Sequence, residues 1–418
     1  MGKLPPLQNI SKNFTIPDNV LIQIAQDYGT PIYVYDAGCI NEQWKKLNQL
    51  IPSGSRLFYS VKANPNIKIL EYIQKMGGSF EVASLGELKA VLSIGALPTE
   101  IIFVGPGKTD KALMVAIESG IHCVVAESAH EIDRINILAS KGNKKVSVAL
   151  RINFNRGKGA ISMGGVTQFG MEPEIAIRVL ANSASYKQIN FMGLHTYMGT
   201  GVLEPSAILN QTKSFLDQAD SIETKSGTKL YFLDAGGGWG IPYFDSDHEP
   251  DWEQIQPRLE SLVKEYRNAH EHTTEIAFES GRFIIGPAGV FLTRVLDVKK
   301  SWGKWFVILD GGINVFGGDD QYKGFRSLPI RMISRETNQL DELTLCGPLC
   351  TSADRLAVDT ILPVPEVGDV YAFYQAGAYR YTASPGFFLS HGFPTEVLFL
   401  DDASKVIRSA ITVDAFLK

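Results

Sequence analysis

At 418 residues the chain is too long for one small core, and its 44% hydrophobic and 20% charged content is that of a globular protein, not a disordered one. A formal net charge of −5 with no basic run argues against nucleic-acid partners. The four scattered cysteines (Cys39, Cys123, Cys346, Cys350) exclude a disulfide scaffold, and no second pair accompanies the C-x-x-x-C of Cys346 and Cys350, so no metal site is expected.

The opening MGKLPPLQNI lacks the apolar run of a signal peptide, and no uninterrupted apolar segment is long enough to span a bilayer. The expectation is a soluble, cytoplasmic protein without a membrane partner. A turn-rich segment with a short strand, PIYVYD at 31–36, comes first. Apolar, β-branched runs then recur: RLFYSVKAN near 57, SFEVAS near 80, IIFVG near 101, HCVVAES near 122 and VSVALRIN near 146. INFMGLHTYM near 189, LYFLDAGGG near 230 and EIAFES near 275 continue the series. Between them lie segments such as GELKAVLSIGA and DKALMVAIESG, whose apolar residues recur at three and four, as in amphipathic helices that end at glycine.

Eight strands alternating with helices over about 230 residues predict a (β/α)8 barrel. An open, doubly wound sheet is the alternative. DAGGGWG superficially matches a dinucleotide fingerprint, but its glycines do not fit G-x-G-x-x-G and it lies seventh in the series. Past residue 285 the texture changes. GVFLTRVLDVKKSWGKWFVILDGG and DVYAFYQAGAYRYT are strand-rich and predict a mostly antiparallel β domain. The expected division is a barrel over 37–285 and a β domain from 1–36 with 286–418.

In LFYSVKANPN, Lys62 closes a run that reads as a strand buried on both faces, and turn residues stop it at once. Alone, it reads as a lysine snorkelling to a rim. Yet polar residues end the other strands too: Glu81 and Ser84, Arg151 and Asn153, His195 and Tyr197, Gly236 to Gly238, and Glu279 with Arg282. In a barrel of this kind that end carries the chemistry. A lysine amine can hold an aldehyde cofactor as a Schiff base. Three glycines let backbone amides approach a phosphate, and a carboxylate can keep a pyridine nitrogen protonated. Together these are the requirements of pyridoxal 5'-phosphate. The bland readings are helix-start carboxylates for Glu81 and Glu87, rim contacts for Arg151 and Asn153, and a hydrogen-bonded core residue for His195.

YSVKANPN, DAGGGWG, ESGR, CGPLCTSADRL and GAY, in this order, resemble the fold-type III pyridoxal-phosphate decarboxylases, the diaminopimelate, ornithine and arginine group. The resemblance runs from Tyr28 to about residue 388 and implies an alanine-racemase-like barrel with a β domain. It implies that Lys62 carries the cofactor, that Glu279 binds the ring nitrogen, and that Gly237, Gly238, Arg282 and Tyr379 surround the phosphate, with Thr200 beside them. It further implies a homodimer with shared active sites, in which Cys350 of one copy protonates the carbanion formed in the other. Arg151 and an arginine in GGDDQYKGFRSLPIRM, Arg326, become candidates for substrate binding.

Three positions depart from the family pattern. Tyr197 stands where members carry a histidine that stacks on the cofactor; a phenol offers a ring face but does not become a cation. Ser280 replaces a proline. Thr351 replaces the carboxylate that pairs with a substrate's distal ammonium, and burying an ammonium without a countercharge costs several kcal/mol. The expectation is therefore a substrate without a distal ammonium, unless Asp354 substitutes. FVGPGK, ISMGGVTQFGM, HTYMGTG, GPLCTSAD and SPGFFLSHGFP are similar to a smaller branch of the family. It comprises the butirosin-type decarboxylases, which act on L-glutamate tethered to an acyl carrier protein. The alternatives are a meso-diaminopimelate decarboxylase, a racemase on the same fold, which would lack CGPLC, and a catalytically inactive decarboxylase-like regulator.

Overall fold

The computed structural model describes residues 11–154, 161–162, 165–244, 247–318 and 329–415. The chain forms two compact units, one of Lys45–Ile241 with Pro250–Gly281, the other of Met1–Trp44, Pro242–Glu249 and Arg282–Lys418.

The first unit is a closed barrel of eight parallel strands. In chain order they are β1 (Arg56–Ser60), β2 (Ser79–Val82), β3 (Ile101–Phe103), β4 (Cys123–Ala126), β5 (Val146–Arg151), β6 (Ile189–His195), β7 (Phe232–Asp234) and β8 (Glu275–Ser280). These are the eight runs expected from the sequence, each paired with the next, and β8 closes on β1 with Glu279 opposite Phe58. Phe58, Ile102, Val104, Cys123, Val125, Ala149, Phe232 and Ala277 pack the barrel with apolar side chains. Gly193 on β6 has no room for a Cβ, which would collide with the Phe232 carbonyl.

Short polar residues start the helices directly after the strands. The side chains of Asn66, Ser84, Thr109 and Ser128 accept hydrogen bonds from the amides of Lys68, Glu87, Ala112 and Glu131. Such a cap is worth about 1 kcal/mol. Glu87 and Glu131, each at the third helical position, reach back past the cap and accept from the amides of Ala83 and Glu127. For Glu87 the helix-start reading is therefore the one the geometry supports.

The second unit is built on a mixed, mostly antiparallel sheet of nine strands. Its path runs Arg355–Pro363, Leu340–Cys346, Lys304–Leu309, Gly289–Ser301, Ile32–Asp36, Thr395–Leu400 and Ala403–Arg408. Only the Ile32–Asp36/Thr395–Leu400 and Lys304–Leu309/Leu340–Cys346 pairs are parallel among those described. Its core gathers Leu21, Ile24, Ile32, Val34, Val290, Leu292, Ala372 and Val397. Among the described residues no helix is long and apolar enough to cross a membrane.

Candidate active site

Lys62 leaves β1 on a short 3-10 turn, Val61–Ala63. Its Nζ donates to both oxygens of Glu81 on β2, at 2.8 and 3.0 Å. The lysine side chain is 36% exposed and the glutamate not at all, so the amine stands at the rim on a buried countercharge. Nζ also lies 5.4 Å from the centre of the Tyr197 ring. Glu81 is thus a partner of the lysine, not a helix-start carboxylate.

Further pairs stand around the same strand ends. Arg151, ending β5, donates to Glu127 at 2.9 Å, and its guanidinium lies 4.7 Å from the centre of Phe169. The other Glu127 oxygen accepts the Gly170 amide at 2.7 Å. Lys108, after β3, donates to Glu131 at 3.0 Å and is almost wholly buried. Burial lowers the Lys108 pKa, and the carboxylates of Glu131 and Glu127 offset this only in part.

His195, the last residue of β6, meets Glu279 on β8 with Nε2 3.0 Å from Oε1, both side chains almost inaccessible. Burial works against the Glu279 charge, but His195, Lys62 and Arg151 outweigh it and hold its pKa below the usual carboxylate value. Asp234, at the end of β7, responds in the opposite direction. Burial, then the neighbouring Glu279 charge, push its pKa well above that value.

The glycine turn comes directly after Asp234. Gly236 and Gly238 have φ of +71° and +108°, a region open to glycine at little cost, and a Cβ on Gly237 would stand 2.6 Å from the Glu279 carbonyl oxygen. Thr200 sits on a two-residue strand pair opposite Ile161.

In the sheet unit, Arg282 is buried and donates to the Tyr243 hydroxyl at 2.8 Å. Its guanidinium lies 5.2 Å from the Tyr243 ring centre and 4.6 Å from that of Tyr379. Tyr379 has φ +66°, a strained conformation for a residue with a Cβ. Cys350 and Thr351 are exposed between two strands of the sheet. Asp354 is 2% exposed; its Oδ1 accepts the Ile313 amide at 2.7 Å and its Oδ2 the Leu349 amide at 2.8 Å. Arg326 lies outside the described residues.

Four groups escaped the sequence reading: Glu127, Lys108 with Glu131, Asp234 and Tyr243. The signal was present for three of them. Glu127 and Asp234 end or succeed strands as the recognised residues do, and Lys108 stands five residues beyond β3.

The barrel residues fit pyridoxal phosphate. An accessible lysine amine, a buried carboxylate held ionised, and a glycine turn with no room for side chains match its aldehyde, ring nitrogen and phosphate.

Comparison with known proteins agrees. Residues 37–286 match the family model of the pyridoxal-dependent decarboxylases, pyridoxal binding domain. The chain is 35% identical over 401 residues to an L-glutamyl-[BtrI acyl-carrier protein] decarboxylase of Niallia circulans, covering 94% of each. It is 30% identical to a 2-[(L-alanin-3-ylcarbamoyl)methyl]-2-hydroxybutanedioate decarboxylase of Staphylococcus aureus, covering 88% of this chain and 94% of the relative. The crystal structure of a diaminopimelate decarboxylase from M. jannaschii superposes with a TM-score of 0.86 at 25% identity, covering 95% of this chain and 93% of that one. The chain belongs to the fold-type III pyridoxal-dependent decarboxylases, enzymes that decarboxylate amino acids with pyridoxal phosphate.

Proposed function

We propose that this member of the decarboxylase family acts on an L-amino acid whose side chain carries no distal ammonium, with L-glutamate on an acyl carrier protein as the first candidate. The observation that carries this is the state of Asp354. Thr351 supplies no charge, and both Asp354 oxygens are occupied by backbone amides in a buried turn. Turning either oxygen toward a substrate would strand an amide, at a cost of about 1–3 kcal/mol. The Niallia relative acts on a glutamyl group on a carrier. The S. aureus relative acts on an alanine joined through a carbamoyl link to a hydroxybutanedioate, whose far end bears carboxylates and no ammonium. The second reading, meso-diaminopimelate, is supported by the M. jannaschii structure's likeness. An inactive regulator is disfavoured by the presence of Lys62, Gly237, Gly238, Glu279 and Cys350 together.

Bound pyridoxal phosphate supplies an aldehyde for the substrate amine and a ring that stores the electron pair left by departing CO2. Lys62 would hold it through Nζ, and Glu81 keeps that amine oriented before and after the substrate takes its place. Glu279, ionised, would hold a proton on the ring nitrogen, while Tyr197 offers a ring face. Gly237, Gly238, Thr200, Arg282 and Tyr379 would bind the phosphate through amides, hydroxyls and a guanidinium. Arg151 would act beside the substrate indirectly, since Glu127 engages its guanidinium. Cys350 would return a proton to Cα, donated from the second copy of a homodimer built with the sheet unit.

The test is CO2 release by the cofactor-loaded protein on a glutamyl thioester of pantetheine or a carrier protein, beside free meso-diaminopimelate. Turnover of the thioester alone is expected. Efficient turnover of diaminopimelate would return the enzyme to the diamine group and require a countercharge outside the 349–354 turn.

A further inference from the structure

Asp234 is fully buried, at the end of β7 between the two strands that carry His195 and Glu279. In register it stands opposite His195 on one side and Ala277 on the other. Its Oδ1 accepts the Gly236 amide at 2.8 Å. Its Oδ2 is buried and, as a carboxylate oxygen, finds no donor among the described residues. Ligand atoms of Asp234, His195 and Glu279 all lie within 4.8 Å of one another. Two carboxylates this close and this buried do not both ionise; the pair shares one proton.

The surroundings decide which of them keeps it. Glu279 faces the cations of Lys62 and Arg151 and the ring of His195. Asp234 faces Glu279 and Glu81, neither of which offers a positive charge. A proton on Asp234 Oδ2 removes the orphaned acceptor and creates a donor with the Glu279 carboxylate as its nearest anionic neighbour. We propose that Asp234 is a positioning residue, a neutral carboxylic acid that donates a hydrogen bond to Glu279 and, with His195, fixes that carboxylate for the cofactor's ring nitrogen. The two donors, from β6 and β7, hold Glu279 and lower its proton affinity. The proton between Glu279 and the ring nitrogen then stays on the nitrogen, where it makes the ring an electron acceptor.

The inference rests on the cofactor assignment but not on the choice of substrate, and its test needs no substrate. Infrared spectra of the holoenzyme at pH 7 are expected to contain a protonated-carboxyl carbonyl band that disappears in Asp234→Asn; absence of that band from the wild type would overturn the proposal. A second measurement tracks the long-wavelength absorbance of bound pyridoxal phosphate against pH. Asp234→Asn keeps a donor toward Glu279 and is expected to hold the acid limb in place. Asp234→Leu removes it and is expected to move that limb up by about one pH unit or more. A folded Asp234→Leu protein with the wild-type limb would show that Asp234 does not act through Glu279. If the leucine variant does not fold, the infrared band still decides.

Discussion

The two ends of the barrel face the same difficulty, charged residues next to an apolar interior, and meet it differently. At the C-terminal ends of the strands, three cation–carboxylate pairs and one histidine–carboxylate pair gather: Lys62–Glu81, Lys108–Glu131, Arg151–Glu127 and His195–Glu279. Of their eight side chains, only Lys62 is more than a tenth exposed. At the N-terminal ends, Arg56 and Glu275 pair at 2.6 Å with both side chains nearly a third exposed. His122 beside them packs edge-on against Phe232, 4.9 Å between ring centres. Its pKa falls to about 4, first because burial disfavours the cation and then because Arg56 repels it. Glu275 lies 3.6 Å from His122 but is engaged more closely by Arg56, so it does not restore the charge. One end keeps buried charge. The other discharges its histidine and leaves the Arg56–Glu275 pair wet. Buried pairs are a weak way to gain stability, so their concentration at one end points to chemistry.

Four changes test this contrast, the largest effect first. Lys62→Ala should abolish the absorbance of the lysine-bound cofactor and lower CO2 release by at least about a thousandfold, a loss of the size that goes with losing an essential proton-transfer group. Full activity in that variant would break the assignment of the whole C-terminal end. Lys108→Met should leave Glu131 buried without its cation and lower stability by about 3–5 kcal/mol. Adding Glu131→Gln, which keeps the carbonyl that caps the helix, should recover most of that loss in denaturant titrations.

Asp354 in the sheet unit belongs to neither end and gives the control. Asp354→Ala should cost about 2–3 kcal/mol through the two amides left unpaired, while the ratio of turnover on thioester and diaminopimelate stays as it was. A change in that ratio would mean that its carboxylate reads the substrate.

The smallest effect is that of His122. Its folded pKa of about 4 lies below the unfolded value near 6.5, so between these the unfolded state binds more protons and stability rises with pH. His122→Phe should flatten the dependence of Tm across that window, gaining about 1–2 kcal/mol over the wild type near pH 5 and nothing above pH 7. An unchanged slope would mean that the histidine is solvated.

Much of the architecture was legible along the chain. Strand rhythm, helix period and the small polar residues after the first four barrel strands are local properties, set by backbone sterics and by side chains hydrogen-bonding their own neighbours. Ser84 and Ser128 cap helices whose third residues, Glu87 and Glu131, bond back to the residue before the cap, and the glycines of DAGGGWG announce a turn that side chains would obstruct. The residues ending the strands came from the same reading, since a barrel's topology sends them all to one end. Arg326 falls outside the described residues, so its place in the site stays a matter of sequence.

The role of each of those residues was decided by the tertiary structure. Lys62 and Glu81 are 19 residues apart and His195 and Glu279 84, and nothing in either segment names its partner. Which strands become neighbours fixes who shares a proton, and burial fixes how strongly. Asp234 looks like any acid before a glycine turn until Glu279 is placed beside it, and Asp354 looks like a free countercharge until two amides close on it. Backbone preference acts over a few residues and can be read in order. Coulomb interaction and desolvation act through space, and only the folded chain sets those distances.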